Sequence, residues 1–240
     1  MTKRVPILCL LLVLYACLFQ PVHAEEIGRV TAVSGDVRLN PQGENRPLRV
    51  GDAIAATDVV VTGTDGHVTI ELQDGSRLQI DTDSELRLSE YRLAPRPRSL
   101  IDLTRGRLRA IVTDTFSRHK ESFRIRSLTA VMGVQGTDFL VYAEASQTLV
   151  RVVEGWVRVV NVDPAIPQAL ILGPGEAARV RRGAPPEPLN LAAAGPVAFG
   201  SGGRLDLRAR GRQAEAAERL APDLRGAAGG VPPRPHPPRP

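Results

Sequence analysis

Short apolar segments separated by turn-forming residues are the feature that most limits what this 240-residue chain can fold into. Alternation of apolar and polar residues places one face of such a segment against a core. No part of residues 25–178 has helical periodicity. The chain is therefore predicted to be all-β: a roll, a sandwich or a short irregular β-solenoid. The segments predicted to be strands are 59–61, 68–72, 77–80, 85–88, 108–112, 139–142 and 149–153.

Turn signals between these segments support the same fold class. Residues 72–78 contain Asp74-Gly75, which supplies the positive φ of a tight hairpin. Residues 81–85 begin like a calcium loop, but Leu86 and Arg92 stand where that loop needs Gly and Glu. We interpret them as a turn between two strands. Strands never alternate with helices here, which argues against dinucleotide-binding folds.

An internal repeat links the two ends of the predicted β domain. Residues 30–39 and 150–159 share the pattern V-x-x-V-x-G-x-V-R, and each is followed by L-x-x-G-[D/E]-A, at 48–53 and 172–177. A weaker third copy spans residues 101–110. We hypothesise that the terminal copies occupy related places in one β structure. Each copy carries a glycine where a Cβ is expected to clash at a bend or bulge: Gly35, Gly106 and Gly155.

The N-terminus predicts export. Lys3 and Arg4 precede an apolar run over residues 5–19, and a small-x-small sequence follows at 22–24. The run is about 15 residues long, whereas a spanning helix needs roughly 20. Residues 1–24 are therefore predicted to be a signal peptide cleaved between Ala24 and Glu25, and the mature protein to be periplasmic without a stable membrane span.

The sequence also fits two alternatives to simple export. In one, the apolar run stays uncleaved as an inner-membrane anchor; in the other, Cys17 is lipidated as the first residue of a lipoprotein. Cleavage after residue 24 instead removes Cys9 and Cys17, the only two cysteines. Thiol catalysis, thiolate metal sites and redox pairs are then excluded from the mature chain.

The charge distribution separates a β domain over residues 25–180 from a tail over residues 181–240. Residues 25–178 hold 18 Lys+Arg against 21 Asp+Glu, whereas residues 179–240 hold 11 against 5, together with 11 of the 20 prolines. A segment rich in Pro, Arg, Ala and Gly buries too little apolar surface to offset its ordering entropy. The tail is predicted to be mostly disordered, and no nucleic acid partner is expected.

No catalytic, metal or cofactor site is predicted, and we expect the protein not to be an enzyme. The mature histidines, His67, His119 and His236, are far apart and form no H-x-x-x-H pair. Trp156 and Arg158 are the candidate partner-binding residues. The single tryptophan either stacks on a ligand such as a sugar or packs within the sheet.

Residues 128–139, Leu-Thr-Ala-Val-Met-Gly-Val-Gln-Gly-Thr-Asp-Phe, resemble the signature of the FecR-type periplasmic domain. Other motifs of that family occur in the same order from residue 28 to residue 176, so the resemblance covers residues 25–180. Gln135 departs from the arginine that is usual in the family. We interpret the motif residues as structural: Gly133, Gly136, Thr137, Asp138 and Phe139.

The resemblance implies a sensory domain that receives a signal in the envelope. Regulators of the family carry a cytoplasmic anti-sigma segment, whereas here only residues 1–4 precede the apolar run. We therefore expect a stand-alone exported form that binds an envelope protein or glycan, in signalling or in envelope organisation. The alternative is a membrane-tethered relay linked to a sigma-factor system.

Overall fold

The structure is a computed structural model that describes residues 25–40, 45–116 and 122–190. The predicted signal peptide up to Ala24, His119 and all residues beyond 190 lie outside this description, so the predictions made for them stay predictions. A strand at Glu187–Pro188 places ordered structure beyond residue 180, where the sequence located the end of the β domain.

Strands account for nearly all regular structure in the described residues, which confirms the all-β prediction. The one described helix is a single 3₁₀ turn at Asp114–Phe116, and no helix here is long and apolar enough to cross a membrane. The strands are β1 (Glu26–Ser34), β2 (Val37–Asn40), β3 (Arg46–Pro47), β4 (Ala53–Ala55), β5 (Val59–Thr62), β6 (His67–Leu72), β7 (Arg77–Ile80), β8 (Glu85–Arg92), β9 (Arg98–Ile111), β10 (Phe123–Arg126), β11 (Ala130–Ala143), β12 (Gln147–Asn161), β13 (Ala169–Leu172), β14 (Ala177–Arg181) and β15 (Glu187–Pro188).

Burial follows the alternation seen in the sequence. In β7, Leu78 and Ile80 are buried, whereas Arg77 is exposed and Gln79 is partly exposed. Full burial of a Leu or Ile side chain contributes roughly 1.5–3 kcal/mol relative to exposure. Because the same pattern recurs in most strands, one face of the sheet surrounds a single hydrophobic core.

The strand pairings form two layers around this core. Layer 1 has the order β4-β1-β6-β7-β9-β11-β12-β14-β15. Layer 2 has the order β3-β2-β5-β8-β9-β10-β11-β12-β13. Strands β9, β11 and β12 belong to both layers because each one bends in the middle and pairs with different neighbours before and after the bend.

Glycines of the repeat lie where the chain passes from one layer to the other. Gly35 joins β1 to β2, Gly106 lies at the bend of β9, and Gly155 lies at the bend of β12. Their φ angles are +67°, +94° and +82°, in the left-handed region that glycine adopts without strain. A Cβ at Gly106 would lie 2.1 Å from the Ser84 Oγ and 2.4 Å from the Ser84 Cα.

The two terminal copies of the repeat also share a hydrogen-bond pattern. Val30 of β1 exchanges backbone bonds of 2.9 and 3.0 Å with Gly51 and the next residue, just before β4. Val152 of β12, two residues further along the repeat than Val30, exchanges bonds of 2.9 and 3.0 Å with Gly175 and the next residue, just before β14. These two strand pairs lie toward opposite ends of layer 1. The structure therefore gives the two copies related settings, as hypothesised, with an offset of two residues between them.

Both predicted turns are present. Gly75 has φ +83° in the hairpin between β6 and β7. Residues 81–84 connect β7 to β8. This turn contacts the start of β6, where the His67 Nε2 lies 2.8 Å from the Asp81 Oδ1.

The layer crossing at Gly106 predicts that two glycine substitutions lower the free energy of unfolding by different amounts. Gly51 has a comparable φ of +90°, but a Cβ there would meet no atom within 4 Å. Gly51→Ala should therefore cost about 1–2 kcal/mol of unfolding free energy from backbone strain alone. Gly106→Ala adds a steric clash and should cost about 2–5 kcal/mol. Guanidinium denaturation of both variants measures the difference, and equal losses would contradict the crossing geometry.

Candidate functional site

The family motif lies at the bend of β11, where the chain passes from layer 2 to layer 1. Gly136 has φ +52°, and a Cβ there would lie 2.1 Å from the Asp114 Oδ1. Thr137 is buried and exchanges two backbone hydrogen bonds with Val112, of 2.8 and 3.1 Å. Phe139 is fully buried in the core. These contacts favour the structural interpretation of the motif.

Asp138, the one charged residue of the motif, forms a bidentate ion pair with Arg109 of β9. The Arg109 Nε donates to Oδ1 at 2.9 Å and its Nη2 donates to Oδ2 at 2.6 Å. Both side chains are partly buried, at 15% exposed for the aspartate and 27% for the arginine. The hydrogen bond to Asp138 raises the pKa of Arg109 above its usual value, against the opposing effect of burial. The pair joins β9 to β11 on the outer face of layer 1.

The structure brings some of the predicted residues together and separates others. A Cβ at Gly155 would lie 2.6 Å from the Gly136 carbonyl oxygen, so the motif and this repeat glycine are in contact. Gly106 pairs with Ala143, at the other end of the ladder between β9 and β11. Gly35 lies still farther along the sheet order, between β1 and β2. Gly133 pairs in register with Arg124 on one side and Arg158 on the other.

Trp156 follows the bend at Gly155 and is 63% exposed. A Cβ at Gly173 would lie 2.9 Å from the indole Cζ3 and 3.1 Å from Cη2, so the ring rests against the backbone of this glycine. Because Gly173 has no side chain, the ring lies close to the sheet and remains open to solvent on its other side. The sequence alternative in which Trp156 packs within the sheet therefore does not describe its largely exposed ring.

Two residues extend the exposed surface around the indole. Arg158 is exposed on the same strand, and Ile171 of β13 pairs with it in register. Ile171 is 62% exposed. We define the Trp156 patch as Trp156, Arg158 and Ile171.

Sequence reasoning found Trp156 and Arg158 but missed Ile171. The strand β13 reads Ala-Leu-Ile-Leu and is bounded by Pro167 and Pro174. Four consecutive apolar residues carry no alternation, so nothing in the pattern identifies the outward-facing one. The one sequence signal that could have drawn attention to β13 was that none of its four residues is charged.

A second, polar cleft of about 640 Å³ lies on the outer face of β2, β5 and β8. Its floor contains Val59 and Val61. Three arginines and three carboxylates line it, so its lining has no net charge: Arg38, Arg87, Arg105, Asp36, Asp83 and Glu85.

Histidine and carboxylate side chains form no metal centre in the described part of the chain. No group of three or more His, Cys, Asp or Glu residues there is arranged to hold a metal ion. His67, the one described histidine, lies 2.8 Å from the Asp81 carboxylate and 3.1 Å from the Asp65 carbonyl oxygen. His119 and His236 lie outside the described residues.

Comparison with protein families supports the resemblance carried by the motif. Residues 58–158 match the model of the family described as FecR protein. This match includes the crossing at Gly136 and two residues of the Trp156 patch, and it ends before β13. Residues 58–158 are therefore similar to the FecR family, and the resemblance based on residues 128–139 is confirmed.

Solved structures give weaker likenesses. Two crystal structures of a protein from Parabacteroides distasonis ATCC 8503, described as an anti-sigma factor, are 21% and 20% identical to this chain, each with a TM-score of 0.45. Each match covers 55% of this chain and 59% of the other. A structure described as a cell surface anchoring domain is 36% identical over 26% of this chain and 83% of its own length, with a TM-score of 0.25. No curated protein matches the sequence.

The contact between Trp156 and Gly173 predicts a fluorescence change. Trp156 is the single tryptophan, so all indole emission comes from the patch. Iodide should quench most of it, because the ring is largely exposed. Gly173→Ala would bring a Cβ to 2.9 Å from the ring and should shift the emission maximum. Gly183→Ala is the control, because a Cβ there meets no atom within 4 Å. Unchanged emission in Gly173→Ala would contradict the contact.

The ion pair between Asp138 and Arg109 predicts a measurable coupling energy. A double-mutant cycle with Asp138→Ala and Arg109→Ala should give about 1–2 kcal/mol, because the pair is bidentate and only partly screened by solvent. The exposed pair of Asp36 and Arg38 is the control and should show no measurable coupling. Urea denaturation of the six variants and the parent provides the values, and similar coupling in both pairs would contradict the assignment.

Proposed function

We propose that this chain is a non-enzymatic, exported envelope protein whose FecR domain binds a protein partner in signalling. The family match at residues 58–158 supports the signalling role. The observation that carries the binding role is the Trp156 patch, which exposes two large apolar side chains on neighbouring strands. The sequence at residues 1–24 supports export.

A protein partner fits the chemistry of the patch better than a glycan does. Tryptophan and arginine are the residue types most enriched among those that dominate binding energy at protein interfaces. A single exposed apolar residue is ordinary, but Trp156 and Ile171 lie on neighbouring strands. Ile171 pairs with Arg158, which is two residues after Trp156 on β12. A glycan would use the open face of the indole, whereas the aliphatic surface of Ile171 offers a sugar no hydrogen-bonding group.

Loss of the indole should remove the partner. The full-length protein, tagged at its own locus, is purified from its native cells after mild crosslinking, and its associated proteins are quantified by mass spectrometry. Trp156→Ala should lower recovery of one protein by about tenfold or more, which corresponds to about 1.4 kcal/mol. Arg87→Ala, an exposed substitution on β8, should leave recovery unchanged. An unaltered set of associated proteins in Trp156→Ala would contradict the proposed role of the patch.

Export is tested by intact mass measurement combined with cell fractionation. We expect a soluble periplasmic species that starts at Glu25. A full-length species in the inner membrane, or one lipidated at Cys17, would contradict simple export and favour the membrane-tethered relay.

A further inference from the structure

Layer 2 ends in strand β13, Ala169–Leu172, and among the described residues this end of the layer has no further strand. Within the described residues β13 pairs with β12 and with no other strand, through four register pairs from Val157–Leu172 to Val160–Ala169. An edge strand presents a row of N–H and C=O groups that lack partners and can pair with another chain.

The other three ends of the two layers carry features that oppose strand addition. Strand β3 consists of Arg46–Pro47 and β15 of Glu187–Pro188, so each combines a charge with a proline that has no N–H group. In β4, the Ala55 N–H donates to the Asp58 carboxylate at 2.9 Å, and the Ala55 carbonyl accepts from the Asp58 N–H at 3.3 Å. These edges are blocked by their own residues.

Strand β13 has none of these protections. Its four residues contain no proline and no charge. Beside it lies an open groove of about 410 Å³, between β13 and the residues that follow β15. The groove is lined largely by aliphatic side chains: Leu170, Ile171, Leu172, Ala177, Pro188 and Leu189.

Charge in the groove defines what can occupy it. Glu176 is the one charged residue in its lining, and its carboxylate already accepts a hydrogen bond from the Gly173 N–H at 2.7 Å. Apart from this one carboxylate, the lining offers a charged side chain no ionic partner, so most of the groove would desolvate a charge without compensation, which is costly. The groove therefore matches an uncharged, apolar occupant.

We infer that β13 receives an extended, uncharged segment of the protein partner by β-strand addition. This inference rests on the proposed function and specifies how the partner is held. Main-chain hydrogen bonds to β13 would provide affinity, and alternate side chains would provide specificity. On one face they meet the groove beside Leu170 and Leu172, and on the other they meet Ile171 next to Trp156.

A second copy of this chain fits the edge less well. Two four-residue strands joined edge to edge bury far less than the roughly 1,200 Å² of a stable interface. A longer partner segment can continue past β13 onto the Trp156 patch, which adds buried area. The strand that adds to β13 is therefore assigned to a different polypeptide.

Site-specific photocrosslinking tests the inference. The photoreactive amino acid p-benzoylphenylalanine is placed at position 169, an exposed position of β13, in the full-length chain in its native cells. We expect one crosslinked polypeptide, joined through a segment of at least about four uncharged residues. Ile171→Lys should lower the yield about tenfold or more, because lysine on an edge strand opposes pairing. Val50→Lys is the matched control, since Val50 is 61% exposed and Ile171 is 62% exposed.

Each other outcome overturns the inference in a distinguishable way. Crosslinks to a second copy would assign the edge to self-association, and crosslinks within one chain would assign it to the protein's own residues. Crosslinks to a charged segment, or equal effects of the two lysine variants, would exclude strand addition at β13. If no product forms at position 169 while Trp156→Ala still removes an associated protein, strand addition is wrong and the proposed function stands. If neither effect occurs, both are wrong.

Discussion

Close contact between backbone segments at the layer crossings is the constraint on which the rest of the structure depends. At Gly106 the chain passes so near to Ser84 that a Cβ on this glycine would lie 2.4 Å from the Ser84 Cα. At Gly155 the approaching segment is Gly136 and Thr137 of the neighbouring crossing. Glycine meets two requirements at these positions, a positive φ and the absence of a side chain. The strands can therefore change layers without breaking their pairing, and both layers share one core.

The crossings also determine what is exposed. After the bend at Gly155, β12 enters layer 2 with Val157 directed into the core and Trp156 directed outward. The adjacent strand β13 then places Ile171 beside Arg158. The proposed interaction surface thus arises from the same local geometry that closes the core, in the part of the fold where one edge strand lacks both proline and charge.

Four residues of the FecR motif, from Gly136 to Phe139, have defined structural contacts. Gly136 fits against Asp114, Thr137 bonds to Val112, and Phe139 fills the core. Asp138 is engaged by Arg109 in a bidentate pair, which accounts for a carboxylate in the motif without assigning it chemistry. The residues proposed to bind the partner lie beside the motif and outside it. Family membership and partner choice can therefore be carried by different residues of the same domain.

The sequence by itself determined the all-β class, the two turns at Asp74-Gly75 and residues 81–85, and the glycines of the repeat. Each of these depends on local physics: a period of two, a positive φ, or a side chain that has no room. Only the tertiary structure decided that Arg109 is the partner of Asp138, that Trp156 rests on Gly173, and that Ile171 is exposed on an open edge. These facts depend on strand register between segments 13 to 29 residues apart, and no local pattern in a single sequence encodes that register. Strand β13 illustrates the limit, because its four apolar residues have no alternation and only pairing with β12 shows which of them faces solvent.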